Sequence, residues 1–280
     1  MRIGVIGCGS MGKMLLEQFS VQIPPAELLV SNRSAEKLRA VSGIASVCPD
    51  NRALAEQADI IFLCVRPADM PAVLAEIRDA VRPEALLVSL NGSISFEALG
   101  RMLPHRTAKV IPSVTAEIGR SQTLVCYNET TPEPDRQRLE TLLRCMGDVI
   151  VLPEPELGMG AELVSCMPGF LAAIFDVICR SAKRHTAIPP EQIADMVLRT
   201  AAATAALMTE TGAGFQDIVS RVATKGGITE AGTAVINERF PEIAAELFAR
   251  TLEKRAQTAC AAAEALRAAA KNTDRQEALP

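Results

Sequence analysis

Short runs of apolar residues alternate with amphipathic stretches through the first half of the chain. Ile3 to Ile6, Leu28 to Val30, Ile60 to Val65, Leu86 to Leu90, Ala108 to Ile111 and Thr123 to Tyr127 are apolar almost throughout, as strands covered on both faces are. Between them, Lys13 to Phe19, Ala35 to Val41, Asp69 to Val81 and Pro134 to Met146 space their apolar residues as helices do. This alternation predicts an α/β architecture, a mostly parallel sheet with helices on both faces. After Val149 to Leu152 the pattern changes, with Pro153 and Pro155 as punctuation, and helical spacing takes over.

The second half predicts a long helix from Gly158 to Lys183, another opened by Pro189-Pro190 and reaching about Thr211, and a short one from Gly214 to Val222. Gly226-Gly227 interrupts before a helix near Thr229 to Asn237 and an alanine-rich one from Pro241 to about Lys271, and the polar tail 272–280 is expected to fray. The Gly158–Lys183 segment carries Leu163, Val164, Phe170, Leu171, Ile174, Phe175 and Ile178 on more than one face. A helix of that kind has to be buried on several sides, by a second copy of the chain or within a self-contained bundle. With 280 residues the chain exceeds a single typical domain, and the pattern divides it into 1–153 and 154–280.

Composition narrows the partners. A net charge of -4 with 22% charged residues leaves no basic footprint for nucleic acid. The eight cysteines form no CxxC pair and no signal peptide or membrane-length apolar run is read, so a soluble cytoplasmic protein with reduced thiols and no membrane is expected. His105 and His185 lack metal-ligand spacing, so no metal site is expected.

The chemistry starts at the first strand, which runs directly into Gly7-Cys8-Gly9-Ser10-Met11-Gly12 and a helix. Gly7 permits the tight turn, Gly9 leaves room for a pyrophosphate, and Gly12 allows the helix to approach the strand. The phosphates would rest on free amides at the helix N-terminus. Where an NAD-binding fold carries an acid after the second strand, this chain has Ser31-Asn32-Arg33-Ser34. An arginine between small polar residues suits a 2′-phosphate, so NADPH is expected, with NADH possible. Ser34 also suits the cap of the following helix.

Together with these segments, Cys64-Val65-Arg66-Pro67, Lys109-Val110-Ile111-Pro112 and Ala223-Thr224-Lys225-Gly226-Gly227-Ile228-Thr229-Glu230-Ala231-Gly232 follow the order seen in pyrroline-5-carboxylate reductases, which the chain resembles over its whole length. The resemblance implies a Rossmann-type dinucleotide-binding domain followed by an all-α dimerisation and substrate domain. It implies NADPH-dependent reduction of the imine 1-pyrroline-5-carboxylate to L-proline, as in proline biosynthesis, by a homodimer or higher homo-oligomer. It also implies that Arg66 and Pro67 flank the nicotinamide end, with Val65 before them in the cofactor site, and that Thr229 touches the substrate. The amides of Gly226, Gly227 and Ile228, before a helix starting near Thr229, would hold the substrate carboxylate, while the Thr229 hydroxyl bonds the imine or caps the helix. Lys225, Glu230, Glu162 and Tyr127 are the proton donors available by type.

The chain departs from the family pattern in three places. Val164-Ser165-Cys166-Met167-Pro168-Gly169-Phe170 replaces a Ser-Gly-Ser-Gly-Pro-Ala-Tyr run, Ile111-Pro112-Ser113-Val114-Thr115 replaces Met-Pro-Asn-Thr-Pro, and Thr224-Lys225 replaces Ser-Pro. Two alternatives therefore stand beside the main reading: reduction of another imine or keto substrate, and a nucleotide-binding regulatory relative without catalysis.

Overall fold

A computed structural model describes the backbone of residues 1–277 and the side chains as far as 269. The chain forms two compact units, Met1–Cys166 with the chain from Leu252 onward, and Met167–Thr251.

The first unit is built on eight strands, β1 (Ile3–Ile6), β2 (Leu28–Ser31), β3 (Ser46–Val47), β4 (Ile60–Leu63), β5 (Leu86–Ser89), β6 (Thr107–Ile111), β7 (Ser121–Tyr127) and β8 (Gly147–Val151). Their order is β3-β2-β1-β4-β5-β6-β7-β8. Neighbours are parallel except β6 and β7, whose antiparallel register pairs Lys109 with Cys126. The connection between those two strands, 112–120, is shorter than the roughly dozen residues a parallel crossover needs.

Alternation along the strands feeds two cores. Ile3, Val5, Ile60 and Phe62 point to one face, against Leu15, Leu16 and Phe19 of α1 (Ser10–Phe19), and Leu139, Leu142 and Leu143 of a later helix share that core. Ile6, Ile61 and Leu63 point to the other. There they meet α3 (Asn51–Ala55), α4 (Met70–Ile77) and α5 (Phe96–Met102) through Leu54, Leu74, Ile77, Leu99 and Met102. The short α2 (Ala35–Arg39) follows β2, while α6 (Glu133–Leu143) precedes β8 and carries the three leucines of the first core.

Past β8 the chain enters α7 (Leu157–Ala161) and a π-helical turn, Glu162–Cys166. These residues stay with the sheet, because Leu157 and Ala161 are buried against Ile111, Leu124 and Cys126. The second unit holds α8 (Met167–Lys183), α9 (Pro190–Thr211), α10 (Phe215–Val222) and the start of α11 (Ile228–Glu277).

Several expectations are corrected. The compact units do not coincide with the expected division at 153/154, since both ends of the helical half stay with the sheet and Ala262 and Leu266 of α11 join the core around Leu74 and Leu99. The two helices read on either side of Pro241 are one, and α11 runs as helix through 272–277, where fraying was expected. The rest of that tail, 278–280, lies outside the described residues. The predicted Gly158–Lys183 helix is broken by the π turn, and β3, α3 and α5 had not been read at all. The helical run Glu154–Lys183 is long and apolar enough to cross a membrane, although no such span was read in the sequence.

The second unit also lacks a core of its own. Among the described residues of Met167–Thr251, Ile193 is the one fully buried apolar side chain. Val177, Ile178, Met196, Leu198, Val235 and Ile236 are each about half exposed, and Phe215 is 80% exposed. A self-contained bundle would bury these, so that alternative fails.

Candidate functional site

The strand order reverses beside β1, where the chain first adds β2 and β3 on one side and then β4 onward on the other. Ligands of open α/β sheets bind at such a switch point, outside the carboxyl ends of the strands. A cleft of about 760 Å³ opens there.

The glycine turn is shaped for an anion. Gly7 takes φ +99°, and a Cβ there would lie 2.6 Å from the Cys64 carbonyl oxygen. At Gly12 a Cβ would lie 2.0 Å from the Gly7 oxygen, so the helix can approach only without one. Gly9 is different: a Cβ there meets nothing within 4 Å, and the residue lines the cleft. The first bond of α1 runs from the Lys13 N–H to the Gly9 carbonyl at 2.9 Å, so the amides of Ser10, Met11 and Gly12 precede the ladder. A bare cradle facing a helix N-terminus fits the pyrophosphate of a dinucleotide.

Of the residues read as cofactor-binding, Gly7, Gly9, Ser10, Asn32, Arg33, Val65 and Arg66 line this cleft, whereas Cys8, Met11, Gly12, Ser34 and Pro67 do not. Cys8 and Asn32 brace the turn, the Cys8 amide donating to Asn32 Oδ1 at 3.0 Å. Burial pushes the Cys8 thiol up, so it stays neutral behind the glycines. Ser34 caps α2 by accepting from the Lys37 N–H at 3.5 Å.

The arginines carry the largest surprise. Arg33 Nη2 and Arg66 Nε each donate to Asp69, at 3.0 Å, one to each carboxylate oxygen. Arg66, expected at the nicotinamide end, thus shares a carboxylate with the arginine assigned to the 2′-phosphate. Asp69 was missed, as were Lys37 and Asn51, which also line the cleft. Asn51 joins the end of β2 to α4, accepting from the Ser31 hydroxyl at 2.7 Å and donating to Glu76 at 2.7 Å.

The residues read as substrate-binding lie in the second unit, at the start of α11. Two of their amides are already engaged: the Gly227 N–H donates to the Thr224 carbonyl at 2.8 Å, and the Gly226 N–H donates to Glu230 Oε2 at 2.6 Å. Glu230 thus reaches back four residues, to the amide just before the helix N-cap Gly227. The Gly226 and Gly227 amides are therefore not free, whereas Ile228 and Thr229 precede the first helical bond, Ala231 N–H to Gly227 carbonyl at 3.2 Å. Because Gly227 accepts that bond, Thr229 is not the N-cap. Ile228 is 95% exposed.

The groups considered as proton donors are mostly committed elsewhere. The Tyr127 hydroxyl donates to the Arg136 carbonyl and to Glu140 Oε1 at 3.2 Å, and burial together with Glu140 drives its phenol far upward. Glu162 is paired with Arg255.

Comparison with known proteins matches two separate parts of the chain. The family pattern described as NADP oxidoreductase coenzyme F420-dependent matches residues 2–92, and that described as pyrroline-5-carboxylate reductase dimerisation matches 154–258. Pyrroline-5-carboxylate reductase 3 of Bacillus subtilis is 31% identical over 258 residues, covering 90% of this chain and 95% of that protein. ComE operon protein 4 of the same organism is 23% identical, covering 90% of this chain and 94% of its own. The structure of Plasmodium falciparum pyrroline carboxylate reductase with NADP bound shares the fold, with a TM-score of 0.84 at 18% identity, covering 92% of this chain and 98% of that one.

Proposed function

The chain belongs to the pyrroline-5-carboxylate reductase family, and from that premise we propose that it reduces 1-pyrroline-5-carboxylate to L-proline with NADPH. The observation that carries the cofactor half of this reading is the bare glycine cradle with Arg33 and Arg66 at the same cleft. Bound there, the nicotinamide supplies a hydride to the imine carbon. The protein contributes positioning: the glycine turn seats the pyrophosphate, and Arg33 with Arg66 holds the 2′-phosphate. The Ile228 and Thr229 amides with the Thr229 hydroxyl take the substrate carboxylate or imine nitrogen. Following NADPH oxidation with pyrroline-5-carboxylate, and then with other cyclic imines and 2-oxo acids, tests the proposal. Turnover only with the latter replaces the substrate, and nucleotide binding without turnover leaves a regulatory relative.

NADPH should be preferred to NADH, with Arg33 carrying much of the difference. A charge-assisted hydrogen bond contributes roughly 1.5–3 kcal/mol, so Arg33→Ala should cut the preference about 10- to 100-fold in titrations of both nucleotides. An unchanged ratio would remove Arg33 from the 2′-phosphate site.

Thr229→Ala should lower kcat/KM by roughly 3- to 30-fold with NADPH affinity intact, while Thr229→Ser restores most of it. Because Thr229 is not the helix cap, its stability change should stay within about 0.5 kcal/mol. A mutant with parental kinetics would end the substrate assignment.

The protein works as a homodimer or larger homo-oligomer in the cytoplasm. Support for the assembly comes from the exposed apolar faces of α8 and α9, which a second copy would cover. The Glu154–Lys183 run fits that role better than a membrane, because it carries Glu162 paired to Arg255. Light scattering at micromolar concentration should find at least a dimer, and a compact active monomer would refute this.

A further inference from the structure

Folds that prefer NADH end the second strand in a carboxylate that accepts the ribose hydroxyls and repels a 2′-phosphate. Here β2 ends in Ser31 and is followed by Asn32-Arg33-Ser34, without an acid. The fold nevertheless supplies a carboxylate to the same place from the loop after β4. Asp69 lines the cleft with Arg33 and accepts from both Arg33 and Arg66, whose own side chains are 83% and 79% exposed. Hydrogen bonding from Arg66, and then from Arg33, holds the Asp69 carboxyl below its usual range, so it is ionised at neutral pH. Its side chain makes no cap bond to α4, which leaves the arginines as its visible engagement.

Building on the proposed nucleotide function, we propose that Asp69 is a specificity-determining residue that restrains the preference for NADPH and lets the site accept NADH. A 2′-phosphate entering beside Arg33 competes with Asp69 for the same guanidinium and lies near a like charge. A 2′-hydroxyl meets the opposite situation, because an ionised carboxylate is a pure acceptor for its proton. Where Asp69 meets them, two guanidiniums face its one carboxylate, while Lys37, Asp50 and Glu76 line the same cleft, so NADPH stays favoured while the margin narrows. Arg33 and Arg66 each have further N–H donors, so both can meet a phosphate once Asp69 yields.

The test is binding, read without turnover. Affinities of NADPH and NADH, and of 2′,5′-ADP and ADP as fragments lacking the nicotinamide, are measured on the unmodified protein, Asp69→Asn and Asp69→Ser. Both variants should bind NADPH and 2′,5′-ADP about 3- to 10-fold more tightly and NADH more weakly, so the ratio widens roughly 10-fold or more. Thermal melts of the same samples report folding, and the serine variant serves if asparagine destabilises the loop. Weaker NADPH binding with an unchanged NADH affinity would overturn the proposal, leaving Asp69 as a strut that merely aligns the arginines. An unchanged ratio would overturn it equally. Failure of the unmodified protein to bind either nucleotide would instead take down the nucleotide reading itself, and the role of Asp69 with it.

Discussion

Gly9→Ala should leave the fold nearly untouched and cripple nucleotide binding, whereas Gly12→Ala should damage both. At Gly12 the added methyl would lie 2.0 Å from the Gly7 carbonyl oxygen and 3.3 Å from Cys64 Cβ. The oxygen belongs to the backbone and cannot swing aside, so the helix must move off the strand. Overpacking of this kind costs about 1–3 kcal/mol, which lowers the melting temperature by roughly 2–12 °C. At Gly9 no atom lies within 4 Å of the new methyl, and the backbone, at φ -80° and ψ -169°, suits alanine. Its cost to the fold is the lost N-cap preference, about 1 kcal/mol or less. The methyl does enter the cleft where the pyrophosphate would lie, and an overlap of about 1–3 kcal/mol there weakens binding roughly 10- to 100-fold. Melting curves and NADPH titrations on the two variants separate these effects. Full affinity in Gly9→Ala would put the phosphates somewhere else.

The glycine turn was legible in the sequence because its requirements are local: three glycines at fixed spacing between a strand and a helix. The strands were legible for a related reason, since burial on both faces writes them as unbroken apolar runs. Short elements were not. β3 is two exposed residues, and α3 is a five-residue turn announced by its Asp50 cap alone. Proline misled in one place: Pro241 was read as a boundary, yet no glycine or capping residue flanks it, and α11 continues past it. The pairing of Arg33 with Asp69 could not be read at all. The two are 36 residues apart, and only the placement of β1 between β2 and β4 brings their loops together. Glu230 left a usable sign, an acid in the first turn after the glycine pair, where a carboxylate can reach a free amide at the helix start. The incompleteness of the second unit was visible in the many-sided apolar pattern of its first helix, because a helix without a polar face must find cover beyond itself.

Arg255→Met should be strongly destabilising to the first unit. Glu162 is 1% exposed within the π turn, and Arg255 of α11 donates to its Oε1 from Nε at 3.0 Å and from Nη2 at 2.7 Å. The other oxygen, Oε2, is buried without a hydrogen-bond partner among the described residues, so the arginine is the chief compensation there for a desolvated charge. Removing one member of such a pair costs about 3–5 kcal/mol, because the remaining charge is stranded. Replacing both members with apolar side chains is often neutral or better, since the desolvation penalty disappears with the charges. Glu162→Met/Arg255→Met should therefore recover most of the stability lost by Arg255→Met alone. Arg255→Lys should fall between them, because an ammonium supplies the charge without the fork that meets Oε1 twice. Urea denaturation at one fixed protein concentration keeps any subunit contribution constant across the set. If the double variant is as unstable as the single, the ion pair is not what holds α11 to the π turn, and the packing of the arginine stem beside Gly158, where an added Cβ would meet its Cδ at 3.5 Å, is the interaction that matters.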